Sequence, residues 1–300
     1  MNHVSRVVLS IMFSAVLSGC TPRDDTPRQT VGTAAPNVVS LTATEYALQA
    51  PDSIPAGWTV LRMANRGSEI HYGHMVRLDS GKNVQQMVDA YAEAIRTSGP
   101  RPKWVTRFGG PGGAAPGDSS SVTQFLEPGN YVWICPVEDN DGHPHFAKGE
   151  FKSFVVHPTS TPAASQAAAP EADMVVRLMD FSFALDTPVT AGRHTIRVEN
   201  AGVEPHDLAL MKLAPGRTID DIQTWLNPER ARRDAPSGEP PPSFESLVTG
   251  LGGIAVIRPT MEVFFDADLT PGDYALVCMT TAPDGRSHIE HGMIRQISVR

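Results

Sequence analysis

The chain contains the same unit twice. Asn65-x-Gly67-x-Glu69-x-His71 recurs as Asn200-x-Gly202-x-Glu204-x-His206. Glu45-Tyr46 recurs as Asp180-Phe181, Ala56-Gly57 as Ala191-Gly192 and Gly81 as Gly216, all at an offset of 135 with no gap. After a longer stretch in the second copy the register resumes at an offset of 143. Gly109-Gly110 then matches Gly252-Gly253, Pro128-Gly129 matches Pro271-Gly272 and Tyr131 matches Tyr274. Cys135, His145 and Gly149 match Cys278, His288 and Gly292. Whatever fold the first copy adopts, the second must adopt as well. A length of 300 residues accommodates two domains of ordinary size.

Each copy reads as strand. Residues 58–64 and 194–199 alternate apolar and polar with period two, as half-buried strands do. Residues 122–126 and 261–265 lead through Pro-Gly turns into the cysteine-bearing strands, which predicts hairpins, and 151–156 and 294–299 close each unit. One helix is expected per copy. Val84, Met87, Tyr91 and Ile95 form its apolar stripe in the first and Ile219, Ile222 and Leu226 in the second. Asn83 and Thr218 stand at the N-cap positions, with Gln86 and Asp221 three residues on. The charged, Pro-rich stretch 227–242 is expected to be a surface loop.

The residues that could carry chemistry gather at the end of each copy. In the second, Cys278, His288 and Met293 lie on one strand–loop–strand, and His206 supplies a further imidazole from elsewhere. A thiolate, two imidazoles and a weak axial sulfur are the ligand set of a mononuclear electron-transfer copper site. Nine residues separate Cys278 from His288, so the loop must double back, and Pro283-Asp284-Gly285 offers the turn. His291 is a rival for the second imidazole. The first copy offers His71, Cys135 and His145, with Glu150 where the second has Met293. A carboxylate there either favours Cu(II) and lowers the potential or marks a copy that takes no copper. His74 and His143 have no histidine counterparts, and are either a separate surface metal site or polar loop residues.

This pattern resembles the cupredoxins, the small blue-copper β-sandwiches, in which one histidine follows an Asn-x-Gly turn and the Cys, second His and Met sit on the loop before the last strand. The resemblance implies an all-β chain of two tandem Greek-key sandwiches, at 38–157 and 172–300, joined by a Pro/Ala/Ser-rich linker at 158–171. It implies copper as cofactor, at His206, Cys278, His288 and Met293 and at His71, Cys135, His145 and Glu150. Electron transfer or copper handling, with a redox or copper-transfer protein as partner, is the expected role. A metal-free module that binds a protein or surface ligand is the alternative.

The N-terminus reads as an export signal. Arg6 precedes a short apolar run, 7–17, too short to span a membrane, and Leu17-Ser18-Gly19-Cys20 follows. That run is similar to a bacterial lipoprotein processing site, so residues 1–20 are expected to be the signal peptide. Cys20 would be the lipidated residue, and 21–37 a tether to the cell envelope, with the outer membrane facing the periplasm as the expected location. Cys135 and Cys278 in an exported chain invite a disulfide. Their matching places, each at the end of a buried-type strand, argue against one.

A net charge of -8 without a basic cluster speaks against nucleic acid as partner. The chain has no His-Cys-His, G-x-S-x-G, H-E-x-x-H or C-x-x-C. On that ground the expectation is that the protein is not an enzyme.

Overall fold

In the first half, alternation puts Val39, Leu41 and Ala43 of β1 (Asn37–Thr44) on one face and exposes Val38. The same period buries every second residue of β4 (Gly57–Asn65). β1 runs parallel to β4, pairing Val39 with Leu61 and Ala43 with Asn65, and turns back antiparallel into β2 (Ala47–Gln49). The short β3 (Ser53–Pro55) leads to β4, and β5 (His74–Leu78), β6 (Val105–Arg107), β7 (Ser119–Leu126), β8 (Gly129–Ile134) and β9 (Phe151–His157) complete the half. The computed structural model describes residues 35–97, 99–139, 141–159, 168–227, 230–231 and 242–300. The signal peptide, Cys20, most of the tether, the middle of the linker and most of the 227–242 stretch lie outside them.

The second half repeats the plan. β10 (Met174–Met179) runs parallel to β12 (Gly192–Asn200) and turns back into β11 (Ser182–Leu185). β13 (His206–Leu213), β14 (Val248–Ile257), β15 (Glu262–Leu269), β16 (Gly272–Val277) and β17 (Ile294–Val299) follow. The strands form a five-stranded sheet β3-β9-β8-β5-β6, a four-stranded sheet β14-β13-β16-β17, and an eight-stranded sheet β11-β10-β12-β15-β7-β4-β1-β2.

The eight-stranded sheet draws strands from both halves. The join is β15 against β7, where Phe264 pairs with Thr123 and packs beside Trp58, its ring 5.5 Å from the indole. The two halves therefore share one buried apolar core, from Val39 and Trp133 through to Leu276 and Val299. Tyr131, Phe154 and Trp133 stack within it at 5.4 and 5.1 Å.

The Gly-Gly pairs lie along this join. Gly109 N–H donates to Val256 O, Ala255 N–H to Gly110 O, and Gly112 N–H to Gly253 O. A Cβ on Gly110 would stand 2.0 Å from Gly73 O, and one on Gly253 2.0 Å from Leu208 O. Both have positive φ, 105° and 133°, so only glycine meets the conformation and the close approach together. The buried amide of Gln124 ties the crossing down, donating to Phe108 O and accepting from Gly110 N–H.

α1 (Val84–Thr97) lies over the five-stranded sheet and buries Met87, Tyr91 and Ala94. Its stripe stops short of Ile95, which is exposed. Asn83 and Gln86 form the reciprocal cap, with Gln86 N–H to Asn83 Oδ1 at 2.9 Å and Asn83 N–H to Gln86 Oε1 at 3.1 Å. α2 (Ile219–Trp225) carries the corresponding box through Thr218 and Asp221. The expectation of one helix per half needs correcting: the second half adds a short turn, α3 (Phe244–Leu247), whose Leu247 fills the same small core as Ile222.

Candidate functional site

The loop after each cysteine strand folds back as a small hairpin. In the second half His288 N–H donates to Thr280 O at 2.8 Å and Ala282 N–H to Arg286 O at 2.8 Å, with the bend at Pro283-Asp284-Gly285. In the first, His145 N–H donates to Val137 O at 2.8 Å and Asp139 N–H to His143 O at 3.0 Å. The nine-residue interval is thus taken up by cross-strand pairing, and it sets His145 and His288 beside the cysteines they follow.

The upstream histidines are held by a buried asparagine. Asn200 Nδ2 donates to Glu204 O at 2.8 Å and Ile257 O at 3.1 Å, while its Oδ1 accepts from Gly202 N–H. Asn65 makes the same three bonds, to Glu69 O, Ala114 O and Gly67 N–H. This clamp fixes the loop that delivers His206 and His71. Sequence self-comparison marks the asparagine, but only coordinates reveal its partners.

The second centre brings His206, Cys278 and His288 together. Cys278 Sγ lies 3.4 Å from His288 Nδ1 and 3.8 Å from His206 Nδ1, and the two Nδ1 atoms are 2.9 Å apart. All three side chains are fully buried. Met293 is also fully buried, and its carbonyl accepts from Cys278 N–H at 3.2 Å. His291 is not part of the set: it stacks on Phe181 at 4.4 Å and bonds Asp284 at 3.0 Å. Burial raises the Cys278 thiol well above its ordinary range, with the neighbouring Asp207 carboxyl adding to it. Burial, with His206 beside it, lowers His288 to about 4.

The first centre brings together His71, Cys135, His145 and Glu150, all fully buried. Glu150 reaches both imidazoles, Oε1 to His71 Nδ1 at 2.7 Å and Oε2 to His145 Nδ1 at 2.9 Å. Cys135 Sγ lies 3.6 Å from His145 Nδ1 and accepts from Tyr72 N–H at 3.4 Å. Glu150 occupies the place of Met293 in backbone terms too, since Cys135 N–H donates to Glu150 O. Burial pushes its carboxyl up to about 8, with Glu45 and Glu69 adding to the rise. Burial also raises the Cys135 thiol far above its usual range.

These donor sets fit a copper ion. The donor atoms of each centre lie within 4.8 Å of one another. Glu150 Oε1 and Oε2 and His71 Nδ1 are buried without a partner in hydrogen-bond geometry, despite their short separations. Buried oxygens and nitrogens of this kind are costly unless something between them is shared. Two nitrogens and a sulfur, with a methionine or carboxylate beside them, are the types that mononuclear copper takes.

His74 and His143 do not form a site together. His74 is buried on β5, and His143 is exposed in the hairpin beside Asp139, whose carboxylate is engaged by Lys148. Cys135 and Cys278 are both free thiols. Among the described residues no helix is long and apolar enough to cross a membrane.

No family model matches the chain and no curated protein matches it. Among solved structures, the reduced auracyanin of the photosynthetic bacterium Roseiflexus castenholzii is similar at 23% identity, over 42% of this chain and 99% of its own, with a TM-score of 0.27. The copper-containing nitrite reductase of Thermus scotoductus SA-01 is similar at 12% identity, over 88% of this chain and 61% of its own, with a TM-score of 0.22. The blue copper oxidase of Nitrosomonas europaea is similar at 12% identity, over 88% of this chain and 86% of its own, with a TM-score of 0.25. The sequence-based expectation that the chain is not an enzyme is corrected by these matches, which include proteins named as a nitrite reductase and a blue copper oxidase. By its strand order and by the buried His–Cys–His set in each half, the chain is an all-β protein of two repeated β-sandwich halves.

Proposed function

We propose that the protein binds copper at both centres and serves one-electron transfer or copper handling at the bacterial cell envelope, held there by a lipid on Cys20. The observation that carries the reading is the convergence of inward-facing donors, repeated in both halves: Nδ1, Nδ1 and Sγ in the second, and Nδ1, Nδ1, Sγ and a carboxylate in the first.

Bound copper supplies a one-electron couple. The residues supply the rest. Cys278 and Cys135 give up a proton to bind as thiolates, which burial alone opposes and a cation reverses. His206 and His288, and His71 and His145, present imidazole nitrogens from two separate loops, so the set forms only when the sandwich is folded. The asparagine clamps and the cross-paired hairpins hold those loops, which limits rearrangement between oxidation states. Complete burial of the donors excludes water. Glu150 brings negative charge where Met293 brings a neutral sulfur, which stabilises the higher oxidation state in the first centre and separates the two potentials.

The test is Cu(II) added to the purified metal-free protein. An intense visible thiolate-to-copper absorption is expected from each centre, with Cys278→Ser removing the second centre's share and Cys135→Ser the first's. A colourless protein whose two thiols stay freely titratable in the presence of Cu(II) would refute the reading.

A further inference from the structure

In both halves the imidazoles turn Nδ1 toward the cysteine and Nε2 away from it, and the outward nitrogens face carboxylates. His206 Nε2 is hydrogen-bonded to Asp180 Oδ1 at 3.1 Å, and His288 Nε2 lies 3.2 Å from Glu204 Oε2. In the first half His145 Nε2 lies 2.8 Å from Glu69 Oε2 and His71 Nε2 lies 3.9 Å from Glu45 Oε1. The four carboxylates are repeat-related: Glu45 matches Asp180 and Glu69 matches Glu204.

The carboxylates are themselves fixed. Asp180 accepts from Val203 N–H at 3.0 Å and Glu204 N–H at 3.2 Å, and Glu45 accepts from the amides of Ser68 and Glu69. Gly202 is glycine for this reason. A Cβ there would stand 2.3 Å from Asp180 Oδ1 and 2.9 Å from His206 Nε2, and Gly67 is crowded in the same way by Glu45 and His71. The residue after each carboxylate bends back over the other imidazole. Tyr46 and Phe181 hold left-handed φ values of 61° and 62°, and their rings meet His145 and His288 edge-on at 5.2 Å. Bulky side chains rarely tolerate that φ, so the turn is held in place against its own preference.

We propose that Glu204 and Asp180 are positioning residues that keep the proton on Nε2 of His288 and His206 and so leave their Nδ1 lone pairs facing the centre. An ionised carboxylate only accepts, so it selects the Nε2–H tautomer, orients the ring and raises the basicity of the inward nitrogen. The idea rests on the copper reading only for its consequence, since the tautomers themselves can be measured without metal.

The test uses the full mature chain, 15N-labelled at histidine, metal-free and then titrated with Cu(II). The wild type should show Nε2–H imidazoles at His206 and His288. Glu204→Leu should shift His288 to mixed tautomers without lowering the melting temperature, and should weaken Cu(II) binding at the second centre by roughly 10- to 100-fold. Glu204→Gln keeps an acceptor oxygen and should restore the tautomer, and the first centre should not change in either variant. An unchanged His288 tautomer in Glu204→Leu would overturn the proposal, as would an unchanged affinity in a protein whose wild type binds copper. If the wild type binds no copper, mixed tautomers in Glu204→Leu still support the positioning role, and only the metal reading fails.

Discussion

His206 Nδ1 and His288 Nδ1 face each other at 2.9 Å inside a fully buried pocket, with the Cys278 sulfur closing the triangle. Nε2 of each ring is turned to an acidic group, and the two Nδ1 atoms and the sulfur converge on one spot where a cation can take all three. Copper should therefore raise the unfolding temperature. Binding at 100 times the dissociation constant contributes about 2.7 kcal/mol. Differential scanning calorimetry with and without Cu(II) checks it, and an unchanged transition would count against the centre.

The asparagine clamp predicts a large local penalty. Asn200→Ala leaves the carbonyls of Glu204 and Ile257 without their donor and Gly202 N–H without its acceptor. The loss should be on the order of 2–4 kcal/mol in urea unfolding, by the cost of unsatisfied buried polar groups. Asn200→Asp keeps the acceptor, loses both donor bonds and should recover only a small part.

Two glycines of positive φ should behave differently. Gly253→Ala drives a Cβ to 2.0 Å from Leu208 O at the join of the two halves, whereas Gly285→Ala meets nothing within 4 Å. The second carries only the conformational cost, about 1 kcal/mol, and the first should exceed it by several-fold. Chemical denaturation of the two variants side by side decides this, and equal losses would mean that β14 does not approach β13 at Leu208 as described.

Acid should weaken the metal-free protein partly through His74. Burial lowers this imidazole to about 3, with Arg107 and Arg101 nearby adding to the effect. Between that value and the ordinary 6.5 the unfolded chain binds a proton that the folded one does not, so stability falls as pH drops through this window. The slope contributed by one such group is at most about 1.4 kcal/mol per pH unit. His74→Phe should flatten the dependence of the melting temperature on pH below 6.5, and an unchanged slope would mean His74 is protonated in the fold.

Much of this was legible in the sequence. The repeat fixed the equivalence of the halves, period-two alternation located the strands, and Pro283-Asp284-Gly285 marked where the loop turns. The reciprocal caps at Asn83 and Thr218 followed from residue type and spacing alone. What the sequence withheld are relations between distant segments. That β15 pairs with β7, so that one sheet serves both halves, rests on a single ladder pair, Phe264 with Thr123, that has no local signature. The Gly-Gly pairs announced a close approach, but not that Gly110 meets Gly73 and Gly253 meets Leu208. Glu45, Glu69, Asp180 and Glu204 were visible as repeated letters. Their place behind the imidazoles depends on the tight turns at Tyr46 and Phe181, whose left-handed backbone no propensity rule would assign to an aromatic residue. His291 lay close enough in sequence to compete with His288, and only its stacking on Phe181 removes it.

The most direct test of the two-centre account is a crystal structure of the protein soaked with copper, measured at the copper absorption edge. Two anomalous peaks are predicted, one within bonding distance of Cys278 Sγ and the Nδ1 atoms of His206 and His288, the other of Cys135 Sγ, the Nδ1 atoms of His71 and His145, and Glu150. Empty centres, with copper only at exposed groups such as His143 and Asp141, would contradict it.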